Sequence, residues 1–537
     1  MGLLSVRKFI GIGCVLLALT GAAGADAADL TVRHYGLDIS LDPASRSFAG
    51  SLSVEFTEPD AGNAALKLDM AATLNVESVF LDGQQADFSH QADILAVQLP
   101  IGDLLGVHTV TIRYRGGADP HGLRFYKDQD GYSVASFGMP YTAMHWWPVF
   151  DSPGLKAHSA DIRITLPADM VAVSNGTLEE VEDLRGGLRE YHWHEVYPIY
   201  PDMVSIAAAS YTKLDASYRS SDGTEVPLRY YVFKEDAERG KNAFAFLPSV
   251  LKVYEDLFGP YPFAKEKFGI AEVAFPSFRE HQTVPSLGRG LLQGTTPVWD
   301  LGNVANVMAH DLAHQWFGNS LTPASWSDVW LNEGFATYAV ALWHERDGGQ
   351  AAYRSFMQSL DTQDYIGSVY IQDEHDVAAE FTSTTFNKAA WVLHMLRHVM
   401  GDQAFFAALH DYATSNRYGQ VDTARWLATC EQHYGKSLGW FFKEWIYGTG
   451  EPVFRKDWSQ GGGVLRLRVA QVQPGQVFSL PLEVEIQTDK GSTRQTVWLH
   501  GRMQTAELPV QGTVRNLVLD PDGWVLKGAG PQEGAAI

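Results

Sequence analysis

The sequence predicts a multidomain α+β protein with β structure first, a mostly helical region next, and a shorter β region at the end. Two observations carry this prediction. Apolar and polar residues alternate at period two early and late in the chain, as in "LTVRHYGLDISLD" and "VLRLRVAQVQ", which is typical of half-buried strands. Between these parts, apolar residues recur every three or four positions, as in "FNKAAWVLHMLRHVMG", which indicates amphipathic helices.

Residues 28–230 are predicted to form an N-terminal β-sandwich domain. The segments "FAGSLSVEFTE", "HTVTIRYRG" and "SADIRITLP" alternate at period two, and turn clusters rich in Gly, Asp and Pro separate them. Many short strands without a helical period between them favour a sandwich or an open saddle of sheets.

Residues 231–452 are predicted to form a mostly helical domain. The segment "EDAERGKNAFAFLPSVLKVYEDLFG" has a helical period that ends at Gly259, and "GNVANVMAHDLAHQWFGN" and "SDVWLNEGFATYAVALWHERDGG" predict two further helices. Alternation at period two then returns, so residues 453–527 are predicted to form a small C-terminal β domain. The Gly-rich residues 528–537 are predicted to be a flexible tail.

Residues 1–27 have the pattern of an export signal. Arg7 and Lys8 form a basic start, an apolar run extends to about Leu19, and residues 25–27 read Ala-Asp-Ala, a cleavage-site pattern. The run is too short for a convincing membrane span, and no later stretch has the required length. We therefore expect no integral membrane segment after signal removal. A lipoprotein anchor at Cys14 is a weaker alternative, because no convincing lipobox precedes it.

The cysteine content and the net charge limit the possible cellular location and the possible binding partners of the protein. After removal of the signal only Cys430 remains, so no intrachain disulfide can form, which fits an exported bacterial protein, periplasmic or secreted. The chain has 41 basic and 63 acidic residues and a net charge of −22. Nucleic acids require basic surfaces, so we expect no nucleic-acid partner.

The stretch "VMAHDLAHQWFGN" predicts a zinc site. His310 and His314 are four residues apart, so on a helix both imidazoles project from one face. Glu333, in "WLNEGFATY", follows after 18 intervening residues on the next predicted helix. Two antiparallel helices would bring its carboxylate over the histidines. Three protein ligands with one open position are typical of catalytic zinc, so we expect one Zn²⁺ per chain rather than a structural ion.

These segments resemble peptidase family M1, the gluzincin aminopeptidases. The resemblance extends to "MHWWPVFDSPGLKAHSADIRITLPADMVAVSNG", "EHQTVPSLG", "NKAAWVLHMLR" and "WFFKEWIYGTGEPVF", and so covers most of the chain. It implies an N-terminal β-sandwich, a thermolysin-like zinc-peptidase catalytic domain and a C-terminal module, here only a small β domain.

The resemblance also implies a function and roles for individual residues. The function is that of a zinc-dependent aminopeptidase, which removes N-terminal residues from peptides. His310, His314 and Glu333 stand at the positions of the metal ligands. Glu280 stands at the glutamate that captures the substrate's α-amino group, and Asp311 at the general base.

Two catalytic positions depart from the family pattern. Asp311 replaces a glutamate, and the missing methylene retracts the carboxylate by about 1.5 Å; a misplacement of about 1 Å can cost on the order of 100-fold in rate. Phe386 stands where the family has a tyrosine that donates to the oxyanion, and loss of one such donor costs roughly 10²- to 10³-fold. Tyr365 and Tyr370 are candidates to replace that hydroxyl.

The segment before Glu280 departs as well. Ser277, Phe278 and Arg279 replace a small glycine-containing run, and Arg279 is predicted to bind substrate or to pair with Glu280. Phe137 lies near a family glutamine in a loose alignment. Two hypotheses follow from these changes. The chain is either an aminopeptidase with weakened activity or a zinc-binding pseudopeptidase that binds peptides without efficient turnover.

Overall fold

The computed structural model of the chain describes residues 30–57, 65–100, 106–129, 131–138, 140–297, 301–363 and 365–529. The predicted export signal, residues 1–27, lies outside the described residues, as do residues 530–537 of the predicted tail. No helix within the described ranges is both long and apolar enough to cross a membrane.

Strands dominate the chain before residue 210. In the described ranges they are β1 (Thr31–Asp42), β2 (Ser47–Thr57), β3 (Ala65–Asp69), β4 (Asn75–Leu81), β5 (Gln84–Gln85), β6 (Phe88–Gln91), β7 (Ile94–Gln98), β8 (His108–Gly117), β9 (Leu123–Asp128), β10 (Gly131–Ser136), β11 (Ser159–Pro167), β12 (Val171–Val173), β13 (Thr177–Leu184), β14 (Leu188–Glu195) and β15 (Ala207–Ala209). They form sheets of order β13-β14-β11-β1-β2-β8-β4-β5, β12-β15-β10-β9 and β3-β7-β6.

The alternation in the sequence explains the packing of these sheets. Strands β1 and β2 pair antiparallel with Leu37 opposite Leu52 and Ile39 opposite Gly50. Along β2, every second residue from Phe48 to Phe56 is buried, because successive side chains of a strand point to opposite faces. The buried faces share one hydrophobic core.

A mixed sheet and a set of helices form the middle of the chain. The strands are β16 (Tyr211–Arg219), β17 (Glu225–Phe233), β18 (Phe268–Val273), β19 (Phe278–Arg279) and β20 (Ser286–Gly288), and β21 (Thr322–Pro323) pairs with β22 (Gln420–Val421). The helices are α1 (Ala237–Phe244), α2 (Leu247–Phe258), α3 (Arg289–Gln293), α4 (Val304–Ala313), α5 (Trp330–Ser359), α6 (Val377–Glu380), a π-helical turn (Thr384–Lys388), α7 (Ala389–Met400), α8 (Asp402–Ser415), α9 (Thr423–Tyr434) and α10 (Gly439–Trp445).

The sheet order β16-β17-β18-β20-β19 bears on the first domain boundary. Strands β16 and β17 pair with each other and, through β17, with β18. Leu228 and Tyr230 of β17 are buried in the core of the helical region. The domain boundaries stay predictions, and this pairing favours a first boundary near residue 210 over one at residue 230.

The predicted helix before Gly259 is two helices. Helix α1 ends at Phe244, and α2 begins at Leu247 with Pro248 in its first turn. A proline lacks the amide hydrogen and clashes with the preceding turn, so it is tolerated only where a helix starts. Helix α2 ends as predicted at Gly259, whose φ is 88°.

The C-terminal strands form two further sheets packed on the helices. They are β23 (Phe454–Gly461), β24 (Val464–Gln471), β25 (Leu480–Thr488), β26 (Gly491–Leu499), β27 (Met503–Pro509) and β28 (Val514–Leu519). Their orders are β23-β24-β27 and β26-β25-β28. The rings of Trp445 and Phe478 lie 4.4 Å apart, and those of His394 and Trp524 lie 4.6 Å apart. The buried residues of this part continue the core of the helical region.

Helices α5 and α7 meet at a glycine. A Cβ atom added at Gly334 would lie 2.5 Å from the Cβ atom of Ala389, closer than two methyl groups can approach. Gly334 therefore sets how near the start of α5 lies to α7.

We expect the substitution Gly334→Ala to lower the free energy of unfolding by about 1–3 kcal/mol, because the added methyl overpacks the contact with Ala389. Chemical unfolding of the substituted and natural proteins measures the difference. In the control Gly439→Ala, the added Cβ would meet nothing nearer than the hydroxyl of Ser437 at 3.8 Å. An unchanged midpoint for Gly334→Ala would contradict the close packing.

Candidate metal centre and active-site cleft

Two histidines from α4 and one glutamate from α5 meet in the interior. His310 lies in the last turn of α4, His314 caps that helix, and Glu333 lies in the first turn of α5. All three are buried, with exposed fractions of 0%, 1% and 3%. The two Nε2 atoms are 2.9 Å apart, and they lie 3.2 and 3.3 Å from Oε2 of Glu333. Among the described residues, this is the group of acidic, His or Cys side chains close enough to share a metal ion.

The three atoms fit one tetrahedral zinc ion. Zinc ligands lie about 2.0–2.2 Å from the ion and therefore about 3.3–3.6 Å from one another, only slightly more than the observed separations. Two imidazole nitrogens and one carboxylate oxygen are a donor set that suits zinc. At most one hydrogen can lie between the two facing Nε2 atoms, whereas one divalent cation satisfies all three side chains.

The other ring nitrogens fix which atoms face the centre. Nδ1 of His314 lies 3.0 Å from the carbonyl oxygen of Phe317; a carbonyl only accepts, so Nδ1 carries a hydrogen, and in the neutral ring that would bind a metal the lone pair is on Nε2. Nδ1 of His310 lies 3.4 Å from the hydroxyl of Thr337. The turn that returns the Phe317 carbonyl passes through Gly318, whose φ of 127° suits glycine.

The charges of the three ligands depend on one another when no ion is bound. Burial alone would lower the pKa of His314, but Glu333, Glu280 and Asp311 outweigh it and raise that pKa to about 9. Burial and the neighbouring His314 lower the pKa of His310 to about 4. Burial would raise the pKa of Glu333, but the two histidines lower it to about 2. The ion-free centre therefore holds one cationic histidine beside an ionised glutamate at neutral pH.

Asp311 lies next to His310 along α4 and is buried, with an exposed fraction of 3%. Its Oδ1 atom has no hydrogen-bond partner among the described residues. Burial, with the nearby Glu280 and Glu333, raises the pKa of this carboxyl well above its usual range. A divalent cation in the centre would oppose that rise. An unpaired carboxyl oxygen in this place can accept a proton from a water molecule in the cleft.

Phe386 faces the metal centre without a polar atom. It belongs to the π-helical turn before α7, and its ring is nearly parallel to that of His310, at 15° and with 5.9 Å between centres. The two tyrosines that are candidates to replace the hydroxyl make other contacts. Tyr365 donates to the carbonyl oxygen of Leu360 at 2.7 Å, and the ring of Tyr370 packs against Tyr447.

The residues after His314 hold the segment that carries Glu280. The side-chain amide of Asn319 donates to the carbonyl oxygen of Glu280 at 2.8 Å, and Oε1 of Gln315 accepts from the amide of Thr283 at 2.9 Å. The segment "HQWFGN" thus contributes both a metal ligand and the support for Glu280. The sequence analysis did not identify this support for Glu280, although the polar residues Gln315 and Asn319 closely follow His314.

Glu280 and Glu333 line a small cavity together with residues that the sequence analysis did not identify. The cavity wall also includes Tyr200, Asp202 and Asn332. Burial raises the pKa of Glu280, and burial with the charge of Glu280 raises the pKa of Tyr200 well above its usual range. Tyr200 and Asp202 lie in "YPIYPDM", whose prolines indicate a loop but not its direction.

Arg279 turns to the N-terminal strands rather than to Glu280. Its Nη1 donates to the hydroxyl of Ser277 at 3.2 Å and to the carbonyl oxygen of Phe278 at 2.6 Å. Its guanidinium carbon lies 4.1 Å from the centre of the Phe137 ring. Within the described residues it makes no ion pair with Glu280, which was one of the two roles considered for it.

Comparisons with known proteins find matches to one peptidase family. Residues 31–199 match the model of the peptidase M1 N-terminal domain, and residues 290–445 match that of the peptidase family M1 domain. Aminopeptidase M1 of Arabidopsis thaliana is 25% identical over 464 residues, which cover 78% of this chain and 50% of that protein. A probable aminopeptidase of Saccharolobus solfataricus is 25% identical over 449 residues, 80% of this chain and 55% of that protein. The chain spans about half the length of these relatives.

Two solved structures share the fold. Legionella pneumophila aminopeptidase A in complex with aspartic acid superposes with a TM-score of 0.81 at 17% identity, over 94% of this chain and 60% of that one. A mutant M1 zinc metallopeptidase from Deinococcus radiodurans, bound to a Tyr-Ser-Ala substrate, superposes with a TM-score of 0.67 at 24% identity, over 79% of this chain and 96% of that one. At these identities the likeness concerns the fold alone.

The two family matches together cover more than half of the chain, and the fold agrees with them. They confirm the predicted multidomain α+β architecture of N-terminal β domain, helical domain and C-terminal strands. The chain belongs to peptidase family M1, the gluzincin aminopeptidases.

Proposed function

We propose that the chain is a zinc-dependent aminopeptidase whose turnover is weakened by Asp311 and Phe386. One observation carries the proposal: Nε2 of His310, Nε2 of His314 and Oε2 of Glu333 converge within 3.3 Å, beside a cavity that also contains Glu280. The substrates are peptides with a free amino terminus, and each chain binds one Zn²⁺.

In the proposed hydrolysis, residues of this chain bind the substrate and transfer the proton. A bound Zn²⁺ would polarise the scissile carbonyl and acidify a water molecule. Glu280 binds the substrate's α-amino group, which limits cleavage to the first peptide bond. The unpaired Oδ1 of Asp311 accepts the proton of the attacking water. The same carboxyl then returns the proton to the leaving amine.

Two features favour a second candidate, a zinc-binding pseudopeptidase. Phe386 cannot donate a hydrogen bond to the developing oxyanion, although its ring lies beside that of His310. Asp311 is one methylene shorter than the family's glutamate. The metal and the cleft would then bind peptides without efficient turnover.

We also propose that the protein is exported from a bacterial cell, to the periplasm or beyond. The support is the basic, apolar and Ala-Asp-Ala pattern of residues 1–27. The absence of an intrachain disulfide after its removal favours the periplasm.

We expect metal-replete protein to contain one zinc per chain, and His310→Ala to lose it. Because the pKa of His314 is about 9 in the ion-free protein, zinc must displace a proton at neutral pH. The apparent affinity should therefore rise by up to about tenfold per pH unit from pH 7 to 9. Elemental analysis and calorimetric titration in buffers of different ionisation enthalpy measure both effects. The control His433→Ala, on a histidine paired with Asp411, should keep its zinc. A natural protein without stoichiometric zinc would rule out the proposed site.

We expect the zinc-loaded protein to hydrolyse fluorogenic aminoacyl amides slowly, but above the rate of His310→Ala. Phe386→Tyr should raise kcat by roughly 10²- to 10³-fold, because it restores an oxyanion donor. Asp311→Glu should add up to about 100-fold, and the double substitution should give less than the product of the two. A panel of acidic, neutral and basic aminoacyl groups avoids missing a narrow preference.

The control Phe88→Tyr adds a hydroxyl on a strand residue that is 38% exposed, and should leave kcat unchanged. A silent natural protein that the double substitution revives would favour the pseudopeptidase. If neither protein is active, the enzyme proposal is wrong.

A further inference from the structure

Two guanidinium groups lie over the aromatic ring of Phe137. Cζ of Arg124, from β9, lies 3.6 Å from the centre of the Phe137 ring, and Cζ of Arg279, from β19, lies 4.1 Å from it. Neither arginine forms an ion pair with a carboxylate among the described residues. Arg124 donates through Nε to the carbonyl oxygen of Pro120 at 2.7 Å.

Not every hydrogen-bond donor of the Arg279 guanidinium has a partner among the described residues. Nη1 has two partners, whereas Nε is buried and has none in the part of the chain that the structure describes. Burial, with the charge of Arg124, outweighs the opposing charge of Glu280 and lowers the pKa of Arg279 to about 10. A buried donor without a partner is costly. In a chain of net charge −22, two adjacent arginines without an ion-paired carboxylate among the described residues are a place where an anionic ligand would balance the charge.

The arginine pair lies next to the proposed amine site. Arg279 directly precedes Glu280, and the ring of Phe278 meets that of His310 edge-on with 6.2 Å between centres. On the other side, a Cβ atom at Gly138 would lie 2.5 Å from Nε2 of His281. Only a glycine lets the segment after Phe137 approach the segment after Glu280 this closely.

We infer that Arg279, together with Arg124, binds the side-chain carboxylate of an N-terminal aspartate or glutamate residue of the substrate. This inference rests on the proposed aminopeptidase function. The guanidinium fork offers the parallel donors that a carboxylate accepts.

The charges of the cleft suit such a residue. The cavity contains Glu280, Glu333 and Asp202 and favours a cationic α-amino group. The arginine pair, of which Arg279 directly precedes Glu280, favours an anion. An N-terminal acidic residue carries both charges on one residue, so it suits both groups.

Binding of free amino acids to the zinc-loaded natural protein tests the inference without requiring turnover. We expect L-glutamate to bind at least about tenfold more tightly than L-glutamine in calorimetric titrations, because the two differ only in the charge and one donor of the side chain. L-leucine should bind no more tightly than L-glutamine. Equal or tighter binding of L-glutamine or L-leucine would overturn the inference. A protein that prefers L-glutamate but hydrolyses no aminoacyl amide would refute the enzyme proposal and leave this one standing.

Substitutions assign the preference to the arginines. In Arg279→Met, binding of L-glutamate should fall to the level of L-glutamine, while L-glutamine binding stays within about threefold. Arg124→Gln should weaken L-glutamate binding by a smaller factor and provides a second variant if Arg279→Met does not fold. Arg163→Gln removes an arginine of β11 that contacts His192, and should leave the ratio unchanged. Equal losses for both amino acids in folded Arg279→Met protein would indicate a purely structural arginine and overturn the inference.

Discussion

The convergence of three ligand atoms within 3.3 Å constrains the rest of the catalytic region. For the atoms to meet, α4 must end at His314, the chain must turn at Gly318, and α5 must begin close to Glu333. Gly334 allows α5 to approach α7 at that point. When no ion is bound, a cationic His314 beside an anionic Glu333 substitutes for the missing charge.

The sequence predicted those parts of the site that depend on local spacing. The i, i+4 spacing of His310 and His314 needs only a helix, and Glu333 needs only the next helix to return antiparallel. Contacts across long stretches of chain carry no local signal. Tyr200 and Asp202 reach the cavity from a loop of the N-terminal part, and Phe137 reaches Arg279 across more than a hundred residues. Side-chain direction at Arg279 was open, because a short edge strand can present it to either neighbour.

The fold shows the same division between local and long-range information. Period-two alternation predicted the strands, and the helical period predicted most helices. Pro248 marks the break before α2, but the helical period continues across it and predicts one continuous helix. Strand β17 pairs with β18. Alternation cannot predict this pairing, because the pattern of one strand does not determine which strand lies beside it.

The two departures at the catalytic positions differ in how far the fold can compensate for them. Asp311 keeps a carboxylate, so a small shift of α4 or of a water molecule can restore its reach. Phe386 has lost its donor altogether, and the hydroxyl of Tyr365 is already used by the Leu360 carbonyl. Tyr200 lines the cavity, and its raised pKa keeps its hydroxyl protonated. Any recovery of oxyanion stabilisation from a tyrosine of this cavity therefore depends on that residue.

Arg279 lies between the ring of Phe137 and the next residue of the chain, Glu280. Burial raises the pKa of Glu280, and Glu333 adds to the rise, while His314 and Arg279 oppose it. A neutral side chain at position 279 would leave Arg124 as the one cation of the pair over the Phe137 ring. It would also leave the cleft with its acidic wall alone, which repels an acidic side chain. The arginine thus favours an anionic side chain, because it places a positive charge between Phe137 and Glu280.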